Sequence, residues 1–226
     1  MMIDQADWLM DPALVLPAYT YVDAGHYAGI PAQTIRNWYK GSSRPGHTMQ
    51  PVMDPRAARG LSYLQLGEVA FVAAMRHNGL KLSTIRDAYR HVRDALGIDY
   101  PFLRDDLHSD GVSIFVEALS QSHVTNVSRG GQLGWREAFD EYFADFDFID
   151  HLALRWFPHG RPAHVVIDPR ISFGSPVVEG TGIPTYAVFA RHRVGETMGD
   201  LEADFRLTRP QLDAALTFER RLRHAA

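Results

Sequence analysis

The stretch from Val165 to Gly195, VVIDPRISFGSPVVEGTGIPTYAVFARHRVG, constrains the fold more than any other part of the chain. A β-branched run, Val165-Val166-Ile167, leads into Asp168-Pro169. Gly174, Pro176, Gly180, Gly182 and Pro184 follow in one loop, and a helix is predicted to begin at about Thr185. Glycine opens backbone conformations closed to other residues and proline fixes φ, so this density of both specifies a loop shape rather than a loose tether. On its residues alone the stretch reads as a tight strand-to-helix connector. It is not a phosphate loop, because it contains neither G-x-x-x-x-G-K-[ST] nor a helix-opening G-x-G-x-x-G.

The order of Asp168, Pro169, Ile171, Gly174, Pro176, Val177, Gly180, Thr181, Ile183 and Pro184 resembles a small bacterial and archaeal domain of unknown function with a GTRIPV-like core. That domain is associated with antitoxins of VapBC-type toxin–antitoxin pairs. Gly182 stands where the pattern has Arg, and Thr185 where it has Val, giving GTGIPT. The resemblance covers about the last quarter of the chain. It implies a PIN-like ribonuclease toxin as partner, whose Mg²⁺-holding carboxylates a basic side chain of the antitoxin would meet. The candidates for that contact are Arg191, Arg193, Arg220, Arg221 and Arg223; a solvated helix end is the plainer reading of the last three.

Near the other end, TYVDAGHYAGIPAQTIRNWYKG has a capping-box-like start at Thr20 and Asp23. A short helix is predicted to about Tyr27, a turn at Gly29, and a second helix from about Pro31 to Lys40. Ala24, Ile30, Ile35 and Trp38 form the expected buried seam, with Gln33, Arg36, Asn37 and Lys40 outward. Two short helices joined by a glycine turn are either a plain helical hairpin or a helix-turn-helix whose second helix enters the major groove. Arg36 suits guanine, and Gln33 or Asn37 adenine. Thr34, Arg44 and His47 complete the candidate DNA-binding set, the last two in a turn-rich segment, Ser42 to Met53, that reads as a wing or as an irregular loop.

Residues 1–16 read as an irregular arm in which Leu14, Val15 and Leu16 pack down. Ser62 with Gln65 predicts a capped apolar helix ending at Asn78-Gly79. Ser83 is expected to cap the next, with Ile85, Ala88, Tyr89, Val92 and Leu96 on its inner face. The succession from Tyr19 to Gly97 resembles the MerR-type winged domain. Beyond it, strands are expected at Val112 to Val116 and His123 to Val127, an acidic helix at Trp135 to Phe143, and a strand at Leu152 to Phe157 pairing near Val165 to Ile167 in a small central sheet. Thr197 with Asp200, and Thr208 with Gln211, cap two further helices, so that the chain ends in a trihelical, helix-turn-helix-like unit. The expected class is mainly α with a small β component, in four parts: an arm (1–16), a winged domain (17–100), an α+β connection (101–160) and the C-terminal antitoxin-associated domain (161–226).

The formal net charge of −4 does not point to nucleic acid, but its distribution permits it, because only the docking face need be positive. The absence of cysteine excludes disulfides and thiolate zinc sites and fits a reducing cytoplasm. No apolar run reaches the ~20 residues that span a bilayer. No nucleophile–base pair, metal motif or cofactor loop is present, so neither an enzyme nor a cofactor is expected. The resemblances together imply an antitoxin that binds its toxin and, as a dimer, represses its own operator. The alternative is a stand-alone MerR-type regulator responding to a small molecule.

Overall fold

A computed structural model describes residues 5–44, 47–53, 60–97, 99–104 and 139–224. The expected strands at 112–116 and 123–127, and the start of the acidic helix, lie outside these residues. The described chain is mainly helical, with three two-stranded sheets, which is an α+β class. It divides into two compact units, one of residues 1–144 and 148–153, the other of residues 145–147 and 154–226.

The first unit begins with helices α1 (Gln5–Met10) and α2 (Pro12–Val15). The irregular arm expected there is therefore helical. Asp11 accepts from the Ala13 N–H at 3.0 Å and Pro12 occupies the first turn, a pairing that starts a helix even in so short a segment. Of the three apolar residues, Leu14 is fully buried while Leu16 is 59% exposed. Helices α3 (Tyr21–Ala28) and α4 (Ala32–Lys40) follow, then the antiparallel pair β1 (Ser42–Arg44) and β2 (His47–Met49), with Ser42 opposite Met49.

Helix α5 (Tyr63–His77) is the core of this unit. It is enclosed on every side: its residues from Tyr63 to Ala73 are all buried, Gln65 and Glu68 among otherwise mostly apolar side chains. Its predicted capping box is present: Ser62 accepts from Gln65 N–H at 3.3 Å, and Ser62 N–H donates to the Gln65 side chain at 2.9 Å. Phe71 stacks on Phe102 at 3.9 Å between ring centres and meets Phe139 and Tyr142 edge-on. Tyr142 donates to the Gly67 carbonyl at 2.9 Å, so the backbone of α5 is gripped as well as its side chains. Burial first, and the neighbouring Glu68 second, push the Tyr39, Tyr89 and Tyr142 hydroxyls well above their ordinary pKa, which keeps them neutral donors.

Helix α6 (Leu82–Leu96) buries Ile85, Ala88, Tyr89 and Val92 as the periodicity predicts and closes on left-handed Gly97. Its N-cap is Lys81, without a side-chain hydrogen bond. Ser83 thus falls inside the first turn: the helix begins one residue ahead of the expected cap, because Leu82 already follows the helical path.

Strands β3 (Phe146–Ile149) and β4 (Leu152–Trp156) pair with each other. In the second unit, β5 (Val165–Val166) pairs antiparallel with β6 (Val177–Val178), Val165 opposite Val178. The single central sheet expected for this region is instead separate two-stranded pieces, linked at one bridge between Trp156 and Ile167. The β-branched run is too short for more: Asp168-Pro169 ends it, and proline cannot donate to a further ladder. Helices α7 (Thr185–Arg193), α8 (Met198–Phe205) and α9 (Arg209–His224) complete the unit. Val178, Val188, Phe189, Leu201, Leu207, Leu212, Ala215 and Leu216 form their shared core, with Met198 and Phe205 packed at its margin.

Candidate functional site

The pair α3–α4 has the geometry of a presented second helix. Thr20 and Asp23 form a full capping box, the Asp23 N–H donating to the Thr20 hydroxyl at 3.1 Å and the Thr20 N–H to the Asp23 carboxylate at 2.9 Å. Gly29, at φ 67°, turns the chain in the left-handed region that glycine enters without strain. Gly25 permits the close approach of the second helix: a Cβ there would lie 2.5 Å from the Ile30 carbonyl oxygen and 3.2 Å from the Ala32 nitrogen. Nothing in the helical periodicity of the sequence marks Gly25, although a glycine inside a short helix is itself the signal of a close backbone contact.

Ile35, Trp38 and Tyr39 bury the inner face of α4, leaving Gln33, Arg36 and Lys40 exposed and Thr34 and Asn37 half-buried. Of the expected seam, Ala24, Ile35 and Trp38 are buried and Ile30 is half-buried. Gln33 donates from Nε2 to the Asn37 side-chain carbonyl at 3.0 Å, and Arg36 reaches over the Tyr21 ring at 5.7 Å. Helix α4 contains no acidic residue.

The hairpin is fixed beside this helix from both sides. After β2, the N–H groups of Val52 and Met53 donate to the Trp38 carbonyl at 2.7 and 3.2 Å, occupying an end carbonyl of α4. Arg86 of α6 donates to the carbonyls of Pro51 and Gln50 at 3.0 and 2.8 Å. Burial holds the Arg86 pKa below its ordinary value. Arg44 and His47 are directly opposite each other at the end of the ladder. The structure therefore brings Gln33, Thr34, Arg36, Asn37 and Lys40 onto one helix, and Arg44 and His47 onto the hairpin that follows it.

In the second unit the loop between β5 and α7 is held by its own side chains. Asp168, buried, accepts from the Arg170 N–H at 2.9 Å. Ser172, Phe173 and Gly174 are successively left-handed, at φ 48°, 56° and 75°, and the Ser172 hydroxyl donates across the loop to the Gly182 carbonyl at 2.8 Å. The Thr181 hydroxyl donates to the Val178 carbonyl at 2.8 Å and accepts from the Ile183 N–H at 3.1 Å.

Thr185, fully buried, donates to the carboxylate of Glu219 at 2.6 Å, joining the end of the loop to α9. Sequence reasoning missed Glu219. It lies in register with Leu212, Ala215 and Leu216 on the inner face of α9, and a carboxylate in an otherwise apolar stripe is the signal that could have found it.

The basic residues of this unit are not equivalent. Arg191 is paired with both Glu196 and Asp204 and lies over the Phe205 ring at 5.0 Å, so its charge is engaged within the unit. Arg223 covers the Phe189 ring at 4.6 Å. Arg193, Arg220 and Arg221 are exposed, Arg193 at the end of α7 and the other two on α9. The acidic residues around β3 are also partly committed: Asp147 accepts from Arg155 at 2.7 Å and pairs with Arg161 at 2.8 Å.

Residues 165–218 match the model of a protein family of unknown function, DUF433. Over 223 residues the chain is 26% identical to a Mycobacterium tuberculosis protein named "Putative antitoxin VapB45", an alignment covering 89% of this chain and 93% of that one. It is 23% identical over 234 residues to the uncharacterized protein Rv2308 of the same organism, covering 98% of each. The crystal structure of Rv2018 from Mycobacterium tuberculosis superposes with a TM-score of 0.70 at 23% identity, covering 90% of this chain and 99% of that one, and so shares its fold. Among the described residues no helix is long and apolar enough to cross a membrane.

Proposed function

We propose that this chain is the antitoxin of a toxin–antitoxin pair, binding a PIN-like ribonuclease toxin through its second unit and operator DNA through its first. The observation that carries the reading is the similarity to the M. tuberculosis protein named "Putative antitoxin VapB45" over nearly the whole of both chains. On this reading α3–α4 with the β1–β2 hairpin is a winged helix-turn-helix of the MerR type. α4 enters the major groove, Arg36, Gln33 and Asn37 face base edges, and Lys40, Arg44 and His47 meet phosphates. The chain acts as a homodimer on an inverted repeat. In the second unit the toxin-facing candidates are Arg191, Arg193, Arg220, Arg221 and Arg223, Arg191 also bracing the turn between α7 and α8.

Co-expression of the tagged chain with the product of the neighbouring gene tests the first half, scored by recovery of a complex and by ribonuclease activity. The expected outcome is a stable complex in which the nuclease is silent. Recovery of the chain alone, with the neighbour's nuclease activity unchanged, overturns the antitoxin reading. The promoter fragment of the same operon tests the second half: retention in a mobility shift is expected, and no retention at low salt overturns it.

A further inference from the structure

A cleft of about 460 Å³ opens within the second unit between the turn at His159 to His164 and the outer side of α9, and of its lining only Arg221 has been given a role above. Its size is that of a small-molecule or side-chain pocket. Pro162, Ala163, Pro210, Ala214 and Phe218 give it apolar walls. Its polar groups are not balanced. The Glu179 carboxylate lies 2.9 Å from His164 Nδ1, and Asp213 pairs with Arg209 one turn earlier at 3.7 Å, so both carboxylates have a partner. Arg221 has no carboxylate partner among the described residues.

His159 lies against the Phe218 ring at 4.8 Å between centres, and its Nδ1 is enclosed without a hydrogen-bond partner. An enclosed N–H without an acceptor is costly, so the ring proton belongs on Nε2, the nitrogen that remains open. Burial first, and the nearby Arg221 charge second, lower the pKa of this histidine, so at neutral pH it is a neutral donor. The cleft thus offers one full positive charge, one neutral N–H, the Thr217 hydroxyl and apolar walls. That set neutralises one negative charge. A phosphate dianion would remain undercompensated, and a neutral apolar body would leave the guanidinium desolvated without a partner.

We propose that this cleft binds a carboxylate carried on an apolar body, with the carboxylate on Arg221 and His159 Nε2 and the body against Pro162, Pro210 and Phe218. The same chemistry is offered by a free aromatic or aliphatic acid and by an acidic side chain beside an apolar one in a peptide.

Benzoate, its neutral isostere benzamide and a capped Phe-Glu dipeptide amide distinguish the cases. Each is titrated into the full-length chain at pH 7, with the His159 ring resonances followed by NMR. For ligands this small a dissociation constant of about 1 mM is expected for the acid that fits, with benzamide roughly tenfold weaker. Arg221→Gln should abolish the preference for the acid without moving resonances of the distant core. Ala214→Leu, which fills the cleft and leaves Arg221 in place, should abolish binding of all three. Tighter binding of benzoate than of the dipeptide assigns the cleft to a free acid, and the reverse assigns it to a peptide; either supports the site. Equal binding of benzoate and benzamide, an unchanged acid preference in Arg221→Gln, or no saturable binding by either acid overturns it.

Discussion

The hairpins α3–α4 and α8–α9 are built to one plan and carry opposite fittings. Each starts on a threonine whose hydroxyl accepts from the N–H of an aspartate three residues on, Thr20 with Asp23 and Thr197 with Asp200. The first helix is eight residues long in both, and each ends on a left-handed residue, Gly29 or Arg206. The second helices then differ. α4 has no acidic side chain, and its exposed residues are Gln33, Arg36 and Lys40. α9 carries Asp213 outward and buries Glu219, whose carboxylate holds Thr185 at the end of the glycine-rich loop. A helical hairpin is therefore a neutral frame. On the proposed reading, a face of amides and cations fits one to an anionic surface, while an inward carboxylate makes the other a brace.

The largest expected effect tests the brace. Thr185→Val keeps the volume and removes the hydroxyl, leaving the Glu219 carboxylate buried beside a methyl group. The second unit should lose about 3 kcal/mol of stability, read as faster hydrogen exchange of the α9 amides. Thr185→Ser should retain most of it. The double change Thr185→Val with Glu219→Leu should recover most of the loss, because replacing both partners leaves no orphan charge. If Thr185→Val exchanges like the parent, Glu219 is not a brace and α8–α9 differs from α3–α4 in surface charge alone.

The next effect tests the reader. Arg36→Ala should weaken binding to the operon's promoter fragment by about 1–3 kcal/mol, while Arg223→Ala should change it by no more than about 0.5 kcal/mol. Both guanidiniums are exposed and lie over a ring, Arg223 over Phe189 at 4.6 Å and Arg36 over Tyr21 at 5.7 Å, but only Arg36 shares its helix face with Gln33 and Lys40. Mobility shifts at one fixed salt concentration check both. Equal losses would place the second hairpin on DNA beside the first and erase the distinction.

Much of this contrast was legible in the sequence, and what escaped has a common cause. Thr20-Asp23, Ser62-Gln65 and Thr197-Asp200 announce helix starts because a capping hydroxyl and its partner lie within one turn of chain. The outward set on α4 follows from a period of 3.6 residues. The partnership of Thr185 with Glu219 spans 34 residues, and no local pattern encodes it. The separation of the β pairs was illegible for the same reason: Val165-Val166 was recognisable as a strand, but its partner, Val177-Val178, sits in a loop whose glycines and prolines conceal two extended residues. The cleft beside His159 is likewise the product of a turn and a helix about 50 residues apart.

The smallest effect concerns the helix-ending position, where the two hairpins share a left-handed conformation but not a residue. Gly29 sits at φ 67° with open space where a Cβ would stand, so Gly29→Ala meets no neighbour and suffers only the backbone cost of a left-handed L-residue, about 1 kcal/mol. Arg206 already bears that cost at φ 54°. Arg206→Gly removes it but gives the unfolded chain more freedom, which offsets roughly half, so a net gain of about 0.5 kcal/mol remains. The two substitutions should therefore have opposite signs in hydrogen exchange, the Ala variant loosening α3 and the Gly variant tightening α8. A loss in Arg206→Gly larger than about 0.5 kcal/mol would mean that the arginine side chain, and not its backbone, holds that turn, and the second hairpin would then be fitted for its role at the very residue where the first keeps a bare glycine.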